Sequence, residues 1–151
     1  MTIHHVLVPI DFSPYAEQAL DTAIALAKQL QARVTLLHVI QPPLIAGADM
    51  DVWPSATFVE ELEAAVTHDL EGYLARVTTA ELEGEIVVVH GTPFHEIIET
   101  AKARQVDLII MGTHGRTGLP HVLLGSVAEK VVRLAPCPVL VARQPTPVAV
   151  S

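Results

Sequence analysis

The chain has 151 residues, half of them hydrophobic, with a mean hydropathy of +0.42, which suits one domain with a substantial core and excludes a disordered chain. A net charge of −8 and an isoelectric point near 5.3 argue against a nucleic-acid face, which needs basic surface, but not against a small anion held by backbone N–H groups. One cysteine, Cys137, excludes an internal disulfide and fits a reducing compartment; with no apolar run near the ~20 residues of a membrane span and no signal-peptide pattern over Met1–His5, a cytoplasmic chain without membrane partners is expected.

Taken in order, the sequence alternates strand and helix. Ile3 to Ile10 is apolar apart from His4 and His5, as in a parallel strand buried on both faces. Ser13 and Pro14 follow as N-cap and first helical residue. The helix they open carries Ala16, Leu20, Ala23, Ile24, Ala27 and Leu30 on one stripe. Arg33 to Ile40 is the second strand, stopped by Gln41-Pro42-Pro43. Residues 41 to 56 form a loop unusually long for an α/β unit, in which Trp53, the only tryptophan, is expected to anchor the loop to the core rather than to cover a ligand. Thr57 and Glu60 have the spacing of a capping box. The helix after them turns Val59, Leu62, Val66, Leu70, Leu74 and Val77 inward and a row of acids outward.

Glu85 to His90 is the third strand. Gly91-Thr92-Pro93 opens a short helix to about Arg104, with Phe94, Ile97, Ile98 and Ala101 inward. Val106 to Met111 is the fourth strand. It runs into a glycine-rich, cationic loop (Gly112, His114, Gly115, Arg116, Gly118), and Gly125 and Ser126 then start a helix to about Leu134. Cys137, between two prolines, reads as a small apolar filler at the start of the last strand, Pro138 to Arg143. Residues 1–144 are expected to form one domain and 145–151 a frayed tail.

Five buried strands alternating with four helices imply an α/β fold, an open five-stranded parallel sheet of Rossmann-like type with helices on both faces. In such sheets ligands bind beyond the carboxyl ends of the strands, where the strand order reverses. The candidate groups fall at those ends: Pro9, Ile10 and Asp11 at the end of strand one, Val39 and Ile40 at the end of strand two, His90 and Gly91 at the end of strand three, Met111 and Gly112 at the end of strand four. The glycine loop and the helix start after it would supply backbone N–H groups and a dipole to phosphate. Asp11 can accept hydrogen bonds from ribose hydroxyls, and the end of strand two offers apolar contact and backbone groups to a flat base. Together these describe a nucleotide. There is no P-loop, since G-x-x-x-x-G-K-[ST] does not occur. Nor is there a dinucleotide fingerprint, because the glycines are spaced G-x-x-G-x-x-G and follow the fourth strand rather than the first.

Val8-Pro9-Ile10-Asp11-Phe12-Ser13, Met111-Gly112-Thr113-His114-Gly115-Arg116-Thr117-Gly118, Ser126-Val127-Ala128-Glu129-Lys130-Val131 and Cys137-Pro138-Val139-Leu140-Val141 together resemble the universal stress protein family over nearly the whole chain. ATP-binding members of that family carry G-x2-G-x9-G-[ST], and Gly112, Gly115, Gly125 and Ser126 fall on that spacing. The resemblance implies strand order 3-2-1-4-5 and ATP as ligand, with or without Mg2+. It places Asp11 at the ribose and the end of strand two at the adenine. Gly112, Gly115, Gly125, Ser126 and Val127 would surround the phosphates, with His114 and Arg116 close by. It also implies a homodimer joined through the last strand, Pro138–Arg143, whose apolar Val139-Leu140-Val141 would otherwise leave an open edge. Pro120-His121 departs from the family pattern inside the nine-residue spacer and puts contacts from residues 119–124 in question.

Phosphoryl transfer needs a positioned nucleophile and charge-stabilising groups. Arg116 could supply charge and His114 could orient a water, but neither has a carboxylate orienter evident in sequence. The expectation is therefore an ATP-binding regulatory module rather than an efficient enzyme. A slow ATPase or phosphotransferase, and a dimerisation module with a vestigial site, stand as the alternatives. His38 and His90 read as satisfied core or rim histidines rather than ligands.

Overall fold

The computed structural model describes residues 1–42, 55–114 and 124–143. Strands β1 (His5–Pro9), β2 (Arg33–Ile40), β3 (Gly84–His90), β4 (Leu108–Gly112) and β5 (Val139–Ala142) alternate with helices α1 (Pro14–Leu30), α2 (Ala56–Thr79), α3 (Pro93–Ala103) and α4 (Ser126–Leu134). The strands form one parallel sheet in the order β3-β2-β1-β4-β5, as the resemblance implied. Right-handed crossovers explain where the helices lie. The chain moves one way from β1 to β3, so α1 and α2 pack on one face with Val6, Val8, Val34, Leu36, Leu108 and Ile110. It then crosses to β4 and moves the other way, so α3 and α4 pack on the opposite face with Leu7, Leu37, Ile109 and Met111. The reversal falls between β1 and β4.

Several local expectations need correction. β1 begins at His5 rather than Ile3, because the Asp107 carboxylate takes the N–H groups of His4 (2.9 Å) and His5 (3.0 Å) before the ladder starts. β4 begins at Leu108, since the Val106 N–H is still bonded to the Ala101 carbonyl at the end of α3, and it runs one residue further, to Gly112. The cap of α2 is Ser55, not a Thr57–Glu60 box. The Ser55 hydroxyl accepts from the Phe58 N–H at 3.1 Å and its carbonyl from the Val59 N–H. On α2, Val66, Leu70 and Val77 are buried, while Leu62 is exposed; the buried part of the stripe starts only at Val66. Leu30, the last residue of α1, is likewise exposed. Trp53, residues 115–123 and the tail from 144 lie outside the described residues, and so do Gly115, Arg116 and the Pro120-His121 departure.

No helix among the described residues is long and apolar enough to cross a membrane.

Candidate functional site at the carboxyl edge of the sheet

Three chain segments meet where β1 and β4 end. The first is the turn from β1 into α1. The Asp11 carboxylate accepts through Oδ1 from both the Ser13 N–H (3.0 Å) and the Ser13 hydroxyl (2.5 Å), and the Ser13 Oγ in turn accepts from the Ala16 N–H at 3.2 Å. Asp11 thus holds the residue that caps α1, which is a structural duty beside any duty towards a ligand. Phe12, between them, has φ +65°, a left-handed conformation that costs a non-glycine residue about 1 kcal/mol.

The second segment is the end of β4. A Cβ on Gly112 would lie 2.7 Å from Tyr15 Cβ and 2.8 Å from the Tyr15 carbonyl carbon and oxygen. Gly112 is therefore required by the first turn of α1, which sits where a side chain would be. The sequence alone suggests room for a phosphate at this glycine; the close neighbour in the structure is the side-chain root and backbone of Tyr15. The contact also brings the Asp11 turn against β4, because Tyr15 is only four residues beyond Asp11. Tyr15 continues past Gly112 to lie against His114, with ring centroids 5.2 Å apart, and His114 Nδ1 is 3.1 Å from the Thr113 hydroxyl.

The third segment is the start of α4. The Gly125 N–H donates to the Thr113 carbonyl at 2.7 Å, so the chain that leaves β4 at Thr113 is tied to the point where it enters α4. Gly125 is the N-cap and offers no side-chain hydrogen bond to the helix. Ser126 is exposed and Val127 half-buried. A helix start of this kind presents free N–H groups and the positive end of the dipole.

The end of β2 completes the edge. Here the ladder with β1 stops at Pro9↔Leu37, and the Ile10 carbonyl is held by His38 Nδ1 at 2.6 Å. Ile40 accepts from the Gly91 N–H at 3.0 Å. Gly91 has φ +148°, and its missing side chain makes room for the Glu96 carboxylate.

The structure thus gathers Pro9, Ile10, Asp11, Val39, Ile40, Met111, Gly112, His114, Gly125, Ser126 and Val127 at one edge. The side chains of Ile10, Ile40 and Met111 are buried in the core, so these three can face a ligand only through their backbones. His38 and His90 are satisfied, as expected, the latter by Glu63 at 2.5 Å. Sequence reasoning missed Tyr15 and Thr113. Tyr15 had a usable signal, since a residue just after Pro14 at a helix start faces the strand ends. Thr113 had none.

At the opposite edge of the sheet a second polar cluster surrounds His5, only 3% exposed. The Thr35 hydroxyl donates to Glu85 Oε1 (2.8 Å), so His5 Nε2 donates to Thr35 Oγ1 (2.7 Å); Arg33 Nη2 is 3.3 Å from His5 Nδ1, and Arg104 Nη1 donates to Glu85 Oε1 at 2.6 Å. Burial and the Arg33 guanidinium lower the pKa of His5, and the Thr35 hydroxyl lowers that of Glu85. Burial pushes the Cys137 thiol up, and Cys137 packs on the α3–α4 face as an apolar filler. A depression of about 380 Å³ between α1 and α2 is lined by Asp21, Ile24, Ala75, Arg76 and Thr79. It lies away from the strand ends and holds no chemistry beyond the Asp21–Arg76 ion pair.

A doubly wound parallel sheet whose strand order reverses between β1 and β4 belongs to the class of α/β domains in which ligands bind beyond the carboxyl ends of the strands at that reversal. Residues 2–143 match the universal stress protein family, and the chain belongs to that family. It is 35% identical to the universal stress protein YxiE of Bacillus subtilis over 144 residues, covering 91% of this chain and 97% of that protein. The solved structure of MJ0577, a protein of Methanocaldococcus jannaschii, superposes with a TM-score of 0.80 at 33% identity, covering 97% of this chain and 99% of the other. A universal stress protein from Archaeoglobus fulgidus, solved in complex with dAMP, shares the fold with a TM-score of 0.64 at 22% identity, covering 95% and 100%.

Proposed function

We propose that this protein binds ATP at the carboxyl edge of the sheet and acts as a nucleotide-responsive regulatory module in the stress response. The observation that carries the reading is the meeting of the Asp11 turn, the Gly112 strand end and the start of α4, joined through Tyr15 and the Thr113–Gly125 hydrogen bond. A carboxylate for the ribose and a helix start for the phosphates stand at the reversal point between β1 and β4. Gly112, Gly115, Gly125 and Ser126 lie on the spacing of the family's ATP binders, and a protein of the same fold is in complex with dAMP. In this reading Asp11 takes the ribose and the backbones of Val39 and Ile40 meet the adenine. Gly112, Gly115, Gly125, Ser126 and Val127 surround the phosphates, His114 and Arg116 stand beside them, and Pro9, Ile10 and Met111 form the floor. Among the described residues no three His, Cys, Asp or Glu side chains come together as a metal site, so Mg2+ would enter on the phosphates. The apolar edge strand β5 supports pairing with a second copy.

The test is equilibrium binding of ATP and of its 2′,3′-dideoxy analogue. Asp11→Asn keeps an acceptor for Ser13 but replaces the other oxygen by a donor. It should weaken ATP by about tenfold, the worth of one charge-assisted hydrogen bond, and the dideoxy analogue far less. Equal losses would remove Asp11 from the ribose. Wild-type protein that binds neither nucleotide would overturn the reading altogether.

A further inference from the structure

The turn that carries Asp11 leaves the sheet one residue after the ladder ends, and three features of neighbouring elements determine its course. Ile10 is still bound to β2 through its N–H, which donates to the Leu37 carbonyl at 2.7 Å, but its carbonyl is taken by a side chain, the Nδ1–H of His38 at 2.6 Å. Phe12 then adopts φ +65°. Its ring lies against the His38 imidazole, with centroids 4.8 Å apart, and reaches the Tyr73 ring of α2 at 5.9 Å. Residues 10 and 12 on either side of Asp11 are therefore both engaged by the same imidazole, one through its carbonyl and one through its ring. The left-handed conformation of Phe12 is unfavourable by itself. What opposes it is the packing of its ring between His38 and Tyr73.

We propose that His38 is a positioning residue for the nucleotide: it holds the Ile10 carbonyl and backs the Phe12 ring, and so sets the direction in which the Asp11 carboxylate faces the ribose. This rests on the reading of the site given above. Because Nδ1 donates to a carbonyl, the ring keeps one tautomer when neutral, with its proton on Nδ1. A side chain with an N–H at that position can replace it; one of similar size without a donor cannot. The role differs from that of a core histidine, whose loss would lower stability without altering the choice between nucleotides.

The experiment compares wild type, His38→Leu, His38→Asn and Phe12→Ala, all as full-length chains. Affinities for ATP and for 2′,3′-dideoxy-ATP are measured by calorimetry, and folding is followed by circular dichroism. Asparagine carries an amide N–H where histidine carries Nδ1–H but has no ring to set behind Phe12, so His38→Asn should retain more of the wild-type ratio of the two affinities than His38→Leu. His38→Leu should lose most of that ratio, roughly tenfold if one charge-assisted bond to the ribose is forfeited, with the dideoxy affinity nearly unchanged. Phe12→Ala keeps the left-handed strain but loses the ring, and should reduce the ratio in the same direction; it carries the test if His38→Leu fails to fold. Folded variants that all discriminate as the wild type does would overturn the role of His38 and leave the nucleotide site standing. Wild-type protein without affinity for either nucleotide would overturn the site itself, and the inference with it.

Discussion

At the scale of single residues, glycine and aspartate at this edge carry structural duties beside any towards a ligand. Gly112 is the clearer case. A methyl group there would sit 2.7–2.8 Å from Tyr15 atoms, two of them backbone, and backbone cannot swing aside as a long side chain can. Gly112→Ala should therefore destabilise the fold by about 1–3 kcal/mol, the usual cost of overpacking, read as a lower denaturant midpoint without any ligand present. An unchanged midpoint would return Gly112 to a purely ligand-facing role. The sequence showed that glycine was needed at the strand end, but it could not show whether the close neighbour was a phosphate or a helix, because glycine answers both in the same way. Asp11 was legible as a polar group at a strand end. Its bonds to Ser13 were not read, although Asp-x-Ser ahead of a proline is a local turn signal. The positive φ of Phe12 has no counterpart in composition or periodicity, and the rings it lies against, on β2 and α2, are distant in sequence.

At the scale of elements, order and type were legible throughout, because long apolar runs and 3.6-residue stripes dominate this chain. Ends were less so, and α2 shows why. Thr57 and Glu60 have the spacing of a capping box, yet Ser55, Thr57 and the run behind them offer two starts, and local spacing alone does not choose between them. The chain uses Ser55, whose hydroxyl meets the Phe58 N–H. Ser55→Ala should cost about 1 kcal/mol of stability, the ordinary worth of an N-cap, while Thr57→Ala should cost little. Paired thermal or denaturant unfolding curves check this, and a larger loss from Thr57→Ala would reinstate the box. β4 shows a second source of error. Val106 continues the apolar run into the strand, but its N–H closes the preceding helix and its side chain joins the core from there, so apolar character marks burial rather than strand membership.

At the scale of the whole molecule, the sheet places its two polar clusters at opposite ends. The candidate site lies at the carboxyl edge, and the His5 cluster lies at the amino edge. His5 faces Arg33 and Thr35 of β2, Glu85 of β3, and Arg104 and Asp107 from the connection between α3 and β4; burial first and the Arg33 charge second keep it unprotonated below the ordinary histidine pKa of 6.5. The unfolded chain consequently takes up this proton before the folded one does. The contribution of His5 to stability is fully present above pH 6.5 and is lost as pH drops beneath it, and the lowered Glu85 adds a further loss below its ordinary 4.5. Denaturant midpoints measured from pH 7.5 to 4 should decline, and His5→Gln, which has an N–H to offer Thr35 but no titration, should flatten the part of the curve just below pH 6.5. A flat wild-type curve across that range would remove His5 as its source. The doubly wound topology was the most legible property at this scale, whereas the His5 cluster, assembled from four separate segments, left no pattern along the chain. The hydrogen bond from Gly125 to Thr113 carries one consequence for how such a molecule can change over generations. It closes the segment 114–124 at its base, so the two flanking elements keep their spacing whatever lies between. Because loop-closure entropy grows only by about 0.6 kcal/mol for each doubling of length, a longer or shorter connection between Thr113 and Gly125 would cost the fold little.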